Sequence, residues 1–147
     1  MKTRWTWPFA ALLGLALISC HIDEPARADV PEFGLNEAFT LGGGQDALIP
    51  GENLRLRFTD VLEDSRCPTQ VECFWTGQAR ITIAVQPEGD GSTTVEFNTN
   101  PAPGQTVNEA TVGRYSVDLK SLDPYPQSPE DPVLFKDYRA TLVVRKR

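Results

Sequence analysis

The sequence predicts an all-β fold: an antiparallel β-sandwich, immunoglobulin-like or related, of about six to eight strands, with a small β-barrel as the alternative. Three observations carry that expectation. Apolar side chains recur with a period of two in segment after segment, as a strand with one buried face requires. The connections between those segments are dense in turn formers, drawn from 12 prolines and 11 glycines in 147 residues. No ten-residue window between these breaks carries the apolar stripe of an amphipathic helix.

In chain order, a weaker strand is expected at 37–42 through Phe39 and Leu41, ahead of Gly42-Gly43-Gly44, read as a flexible turn. Residues 53–60 alternate Leu54, Leu56 and Phe58 against Arg55, Arg57 and Thr59. Residues 78–86 place Ala79, Ile81, Ile83 and Val85 on one face. Residues 92–98 bring Val95 and Phe97 inward, and the Pro87-Glu88-Gly89-Asp90-Gly91 run before them predicts a hairpin turn. Two further strands are expected at 114–122, on Tyr115, Val117 and Leu119, and at 138–145, on Tyr138, Ala140, Leu142 and Val144. The connections at 100–104 and from Asp123 to Pro132 are rich in proline. About 115 residues after a short lead make one domain with a real core, not two.

The lead has a different character. Lys2 and Arg4 form a short basic start, followed by a mostly apolar run from Trp5 to Ile18 that is too short to span a bilayer. It reads as an export signal. Leu17-Ile18-Ser19-Cys20 resembles the lipobox of bacterial lipoprotein precursors, with an aliphatic residue three positions before the cysteine and a small one directly before it. The resemblance implies cleavage before Cys20, thioether lipidation of its sulfur and acylation, palmitate-like, of the new amino terminus. Several acyl chains make such an anchor durable. The expected organisation is a signal peptide at 1–19, lipidated Cys20 with a flexible tether at 20–33, and a single sandwich domain at 34–147. His21, not aspartate, follows the cysteine, so the expected address is the cell envelope, at the outer membrane facing the periplasm in a double-membraned cell.

With Cys20 assigned to lipid, Cys67 and Cys73 remain as a pair in an oxidising compartment, expected to form a disulfide. A ring that short constrains the unfolded chain by about 2 kcal/mol, which holds a loop without rescuing a fold. The pair lies in the densest constellation of the chain, Asp64-Ser65-Arg66-Cys67-Pro68 through Cys73, Trp75 and Gly77. This stretch is similar to a DSRCP motif with a second cysteine and a W-x-G in small secreted bacterial proteins and lipoproteins, a group from which no activity carries over. Two readings of it stand. In the structural one, Asp64 accepts loop amides, Arg66 pairs with a carboxylate, and Trp75 covers the disulfide or the end of the sandwich. In the functional one, a rigid loop presents Arg66, Glu72, Phe74 or Trp75 to a partner. Exposure of Trp75 separates them.

Charge and residue inventory narrow the chemistry. Removing Lys2 and Arg4 with the signal leaves 12 of the 14 basic residues against all 20 acidic ones, eight net negative charges. Such a chain repels phosphate backbones, so no nucleic-acid partner is expected. The single histidine is His21, in the tether, so no metal site built on several imidazoles and no Ser-His-Asp or Cys-His arrangement is available to one folded domain. Loop carboxylates Asp60, Glu63, Asp64 and Glu72 lack EF-hand spacing, and no metal or other cofactor is expected. There is no G-x-S-x-G elbow, P-loop or dinucleotide fingerprint. Glu96 and Asp118 are nominal members of a hydrolytic carboxylate pair, with nothing selecting them.

The expected protein is a lipid-anchored, noncatalytic binding or structural component of the envelope, contacting the membrane through its lipid and possessing a potential envelope protein partner. The alternatives are a periplasmic peptidase inhibitor that exposes Arg66-Cys67 to a protease, and thirdly an enzyme with paired carboxylates.

Overall fold

The computed structural model of the protein describes residues 30–100, 108–130 and 132–147. The signal segment, Cys20 and most of the tether lie outside the described residues. Among those described, eight strands form: β1 (Ala38–Gly42), β2 (Asp46–Ile49), β3 (Leu54–Asp64), β4 (Ala79–Gln86), β5 (Thr93–Asn98), β6 (Glu109–Val112), β7 (Tyr115–Asp123) and β8 (Arg139–Lys146). They make two antiparallel four-stranded sheets in the orders β1-β8-β7-β6 and β2-β3-β4-β5. The expected β-sandwich is present, and no strand closes either sheet into the alternative barrel.

The strand order departs from an immunoglobulin domain, whose sheets interleave early and late strands. Here β2 to β5 form one continuous meander and β6 to β8 another, with β1 added beside β8. The period-two faces explain the layering. Leu54, Leu56 and Phe58 of β3 and Ile81, Ile83 and Val85 of β4 are buried against Val117 and Leu119 of β7 and Ala140, Leu142 and Val144 of β8 in one core. The 87–91 segment closes the β4–β5 hairpin as expected, with Ile83 facing Val95.

Two register shifts alter the sequence pattern. In β7 the ladder slips between Leu119 and Ser121, so the inward series Tyr115, Val117, Leu119 resumes at Leu122. In β3 shifts fall after Phe58 and after Val61, and the strand runs on to Asp64, four residues beyond its expected end. The short strands β2 and β6 escaped the sequence reading. Four residues are too few to show a period, and each is held by its long neighbour, β3 or β7.

The triglycine stretch is the expected turn, closed by the Gln45 N–H donating to the Gly42 carbonyl at 2.9 Å, but its backbone is tied down rather than free. It carries the chain from one sheet to the other: Gly43 N–H donates to the Tyr138 carbonyl at 3.0 Å and Gly44 N–H to the Phe58 carbonyl at 2.9 Å. A Cβ at Gly43 would run into the Phe135 carbonyl, so a side chain is excluded there. Residues 31–33, expected in the tether, join the domain instead. Phe33 N–H donates to Leu48 O at 2.9 Å, Leu48 N–H donates to Pro31 O at 3.0 Å, and Phe33 stacks on Phe39 with centroids 4.6 Å apart.

Phe58 is fully buried and meets Phe135 edge-on at 5.3 Å. Phe58→Ala is expected to cost about 3–5 kcal/mol of unfolding free energy, read from urea denaturation of the domain.

Candidate functional site

The β3–β4 connection leaves the sandwich as an extension of its own ladder. Beyond the strands, Ser65 N–H donates to Gln78 O at 2.7 Å and Cys67 N–H to Thr76 O at 2.8 Å, closing the base of the loop. Gly77 permits this closure: its φ is +66°, and a Cβ there would strike the Ser65 carbonyl. Cys67 and Cys73 are disulfide-bonded with Cα atoms 6.0 Å apart, as expected. A second set of bonds fixes the loop sideways, Thr69 N–H to Pro126 O and Gln70 N–H to Gln127 O, each 3.1 Å. The proline-rich connection after β7 is thus a brace for the stapled loop.

Arg66 is not an exposed anchor, as the inhibitor reading required and the partner-presenting reading allowed. It is 7% exposed. Its Nε donates to Asp64 Oδ1 at 2.8 Å and Nη2 to Asp64 Oδ2 at 2.7 Å, a bidentate fork. The remaining reach goes to the other sheet, with Nη1 donating to Leu122 O at 2.7 Å and Nη2 to Pro124 O at 2.9 Å. Tyr125 stacks its ring 4.9 Å from the guanidinium carbon, and Tyr138 Oη donates to Asp64 Oδ2 at 2.8 Å. Burying the guanidinium costs desolvation, and the directed bonds to one carboxylate and two carbonyls offset that cost, which is why the arginine is held inside rather than displayed.

The ionisation of the cluster follows. Burial pushes the Asp64 carboxyl up, but hydrogen bonds from Arg66 and Tyr138 and the Arg66 charge outweigh it and hold the group below the ordinary carboxylate value. Burial, then the bond to the Asp64 carboxylate, push the Tyr138 phenol up to about 12. The Asp64 carboxylate stays ionised and the Tyr138 phenol protonated over the neutral range.

The rest of the loop faces outward. Phe74 is 103% exposed and Trp75 is 75% exposed, with Glu72 exposed beside them and Val71 at 41%. Trp75 therefore covers neither the disulfide nor the sandwich end, contrary to that part of the structural reading. Asp64 and Arg66, by contrast, do what that reading assigned them, since Asp64 also accepts the Arg66 N–H at 3.3 Å. The constellation divides into a buried half and a displayed half.

Other acids named from sequence are dispersed. Glu96 lies on β5 and takes Arg80 Nε at 2.7 Å, while Asp118 lies on β7 in the opposite sheet, paired with Arg145 and Lys120. Glu63 accepts Ser65 Oγ at 2.7 Å, and Asp60 caps the N–H of Val61 at 2.8 Å. Among the described residues no three His, Cys, Asp or Glu side chains gather as a metal site. A cleft of about 460 Å³ opens beside the clamp, between Thr76, Thr99, Lys120 and Tyr125, and Asp123 is the one acid among its described lining residues. Sequence reasoning missed Leu122, Pro124, Tyr125 and Tyr138 as parts of the site. Three act through backbone carbonyls or ring stacking, which leave no pattern; Tyr138 read as the first inward residue of a strand. No family model, curated protein or solved structure matches the chain.

Arg66→Ala removes one partner of a buried pair and strands Asp64 and two carbonyls, so a loss of about 3–5 kcal/mol is expected in chemical denaturation. Tyr138 has its folded pKa raised from 10.0 to about 12, so its contribution is present below pH 10 and is lost as pH rises toward 12. Tyr138→Phe is expected to flatten the fall in melting temperature across that alkaline window.

Proposed function

We propose that this protein is a lipid-anchored component of the bacterial cell envelope that works by noncatalytic contact, with the tip of the stapled loop as the contacting element. One observation carries the reading: Phe74 and Trp75 stand in solvent on a loop whose base, ring and flank are all fixed. Two neighbouring aromatic side chains held out by a disulfide have no role in the core, and a rigid presentation lowers the ordering cost of binding. The lipobox-like Cys20 supplies the address, the outer membrane facing the periplasm in a double-membraned cell. The acidic balance disfavours nucleic acid as the other party. Among the described residues no helix is long and apolar enough to cross a membrane.

The inhibitor alternative loses its support, because the arginine it would offer to a protease is enclosed by the clamp. A carboxylate enzyme gains none, since the acids it would pair belong to separate sheets.

Replacing Phe74 and Trp75 together with serine is expected to abolish loop-dependent photocrosslinks in intact envelopes while shifting the melting temperature little, because neither side chain is buried. Crosslinks that persist unchanged in the double variant would reject the loop as the contacting element.

A further inference from the structure

The direction of the incoming chain points to what the loop touches. Glu32 bridges Leu48 in parallel with β2, and β2 runs antiparallel to β3, so from Glu32 back to Val30 the chain points toward the Asp64 end of β3. That is the end from which the stapled loop projects. Glu32 stands level with Leu48, and Leu48 pairs with Arg55. By that register residue 30 is level with Arg57, seven strand steps and roughly 23 Å short of Asp64. Ten peptide steps separate Cys20 from Val30, a covalent reach of roughly 33–36 Å when extended. An extended tether therefore covers the distance to Asp64 with roughly 10–13 Å to spare, about the length of the three further ladder steps to Cys67 at the base of the loop.

The chemistry of the tip agrees with an interfacial environment. Trp75 and Phe74 are the side chains that settle at the boundary between headgroups and acyl chains, and Val71 adds aliphatic surface. Tyr125, 46% exposed and stacked on Arg66, lies at the same end. Three or four such side chains are few for a specific protein interface of about 1,200–2,000 Å². They suffice for a surface already held at high effective concentration by an anchor on the same chain. Resting on the contact reading above, we infer that Val71, Phe74 and Trp75 insert into the interfacial layer of the very bilayer that holds Cys20, as a second, protein-borne attachment that fixes the orientation of the domain. The acidic balance of the chain makes a zwitterionic surface the preferred one, with anionic lipid repelling it at low salt.

Trp75 is the one tryptophan after Cys20 and reports on this directly. The lipidated protein reconstituted in phosphatidylcholine vesicles is expected to show roughly twofold quenching of its emission when the acyl chains are brominated, as for a ring buried about 5–10 Å into the boundary. Phe74→Ser with Val71→Ser should remove most of that quenching while the far-ultraviolet circular dichroism stays unchanged. Vesicle-bound protein whose Trp75 emission ignores brominated lipid overturns the inference. A photocrosslinker placed at position 74 in native envelopes then tells the two failures apart. A protein adduct without lipid quenching leaves the contact reading standing and rejects only the bilayer as its object, whereas neither adduct nor quenching rejects both.

Discussion

The fork between Arg66 and Asp64 is the interaction on which the rest of this end of the molecule depends. Asp64 is the last residue of β3, yet the guanidinium it orients bonds the carbonyls of Leu122 and Pro124, which belong to the opposite sheet and its exit. Tyr138, directly before β8, adds its hydroxyl to the same carboxylate. Both sheets are therefore tied to one ion pair. Directed hydrogen bonds fix the offset of one sheet over the other more narrowly than nondirectional apolar contact alone does.

That clamp explains how the loop can be both exposed and ordered. A projecting segment whose aromatic side chains are mostly solvated gains little from burial, so its conformation has to come from elsewhere. Here it comes from the ladder rungs at Ser65 and Cys67, the disulfide, the positive φ of Gly77, and the brace from Pro126 and Gln127. The brace is itself located by the clamp, because Pro124 and Tyr125 are held against Arg66. Display of Phe74 and Trp75 is thus the outcome of a buried polar network several residues away.

The architecture sets this loop apart from the remaining surface. The Gly43-Gly44 crossing ties the layers together, binding the carbonyl of Phe58 in β3 and that of Tyr138 directly before β8. At the opposite end, Glu52 gathers Tyr115 at 2.8 Å and Lys146 at 2.9 Å, and these bonds with the nearby positive charges hold its carboxyl below the ordinary value. Polar groups that are partly shielded at either end of the sandwich find a partner from the other layer, in keeping with the general cost of leaving them unpaired.

The amino-acid pattern by itself determined the class of fold, the inward faces of the long strands, the β4–β5 hairpin and the pairing of Cys67 with Cys73. Alternation and turn formers are local signals, and so is the spacing of two cysteines. Strand order, the two four-residue strands and the slips in β3 and β7 were decided only by tertiary structure, since each depends on a partner distant in the chain. The same holds within the site. Arg66, Glu72, Phe74 and Trp75 looked alike in sequence as charged or aromatic residues of one loop, but carbonyls contributed by residues 122 and 124 drew the arginine inside and left the aromatics in solvent. Backbone carbonyls are common to every residue type, so no reading of side chains along the chain reveals where they will converge.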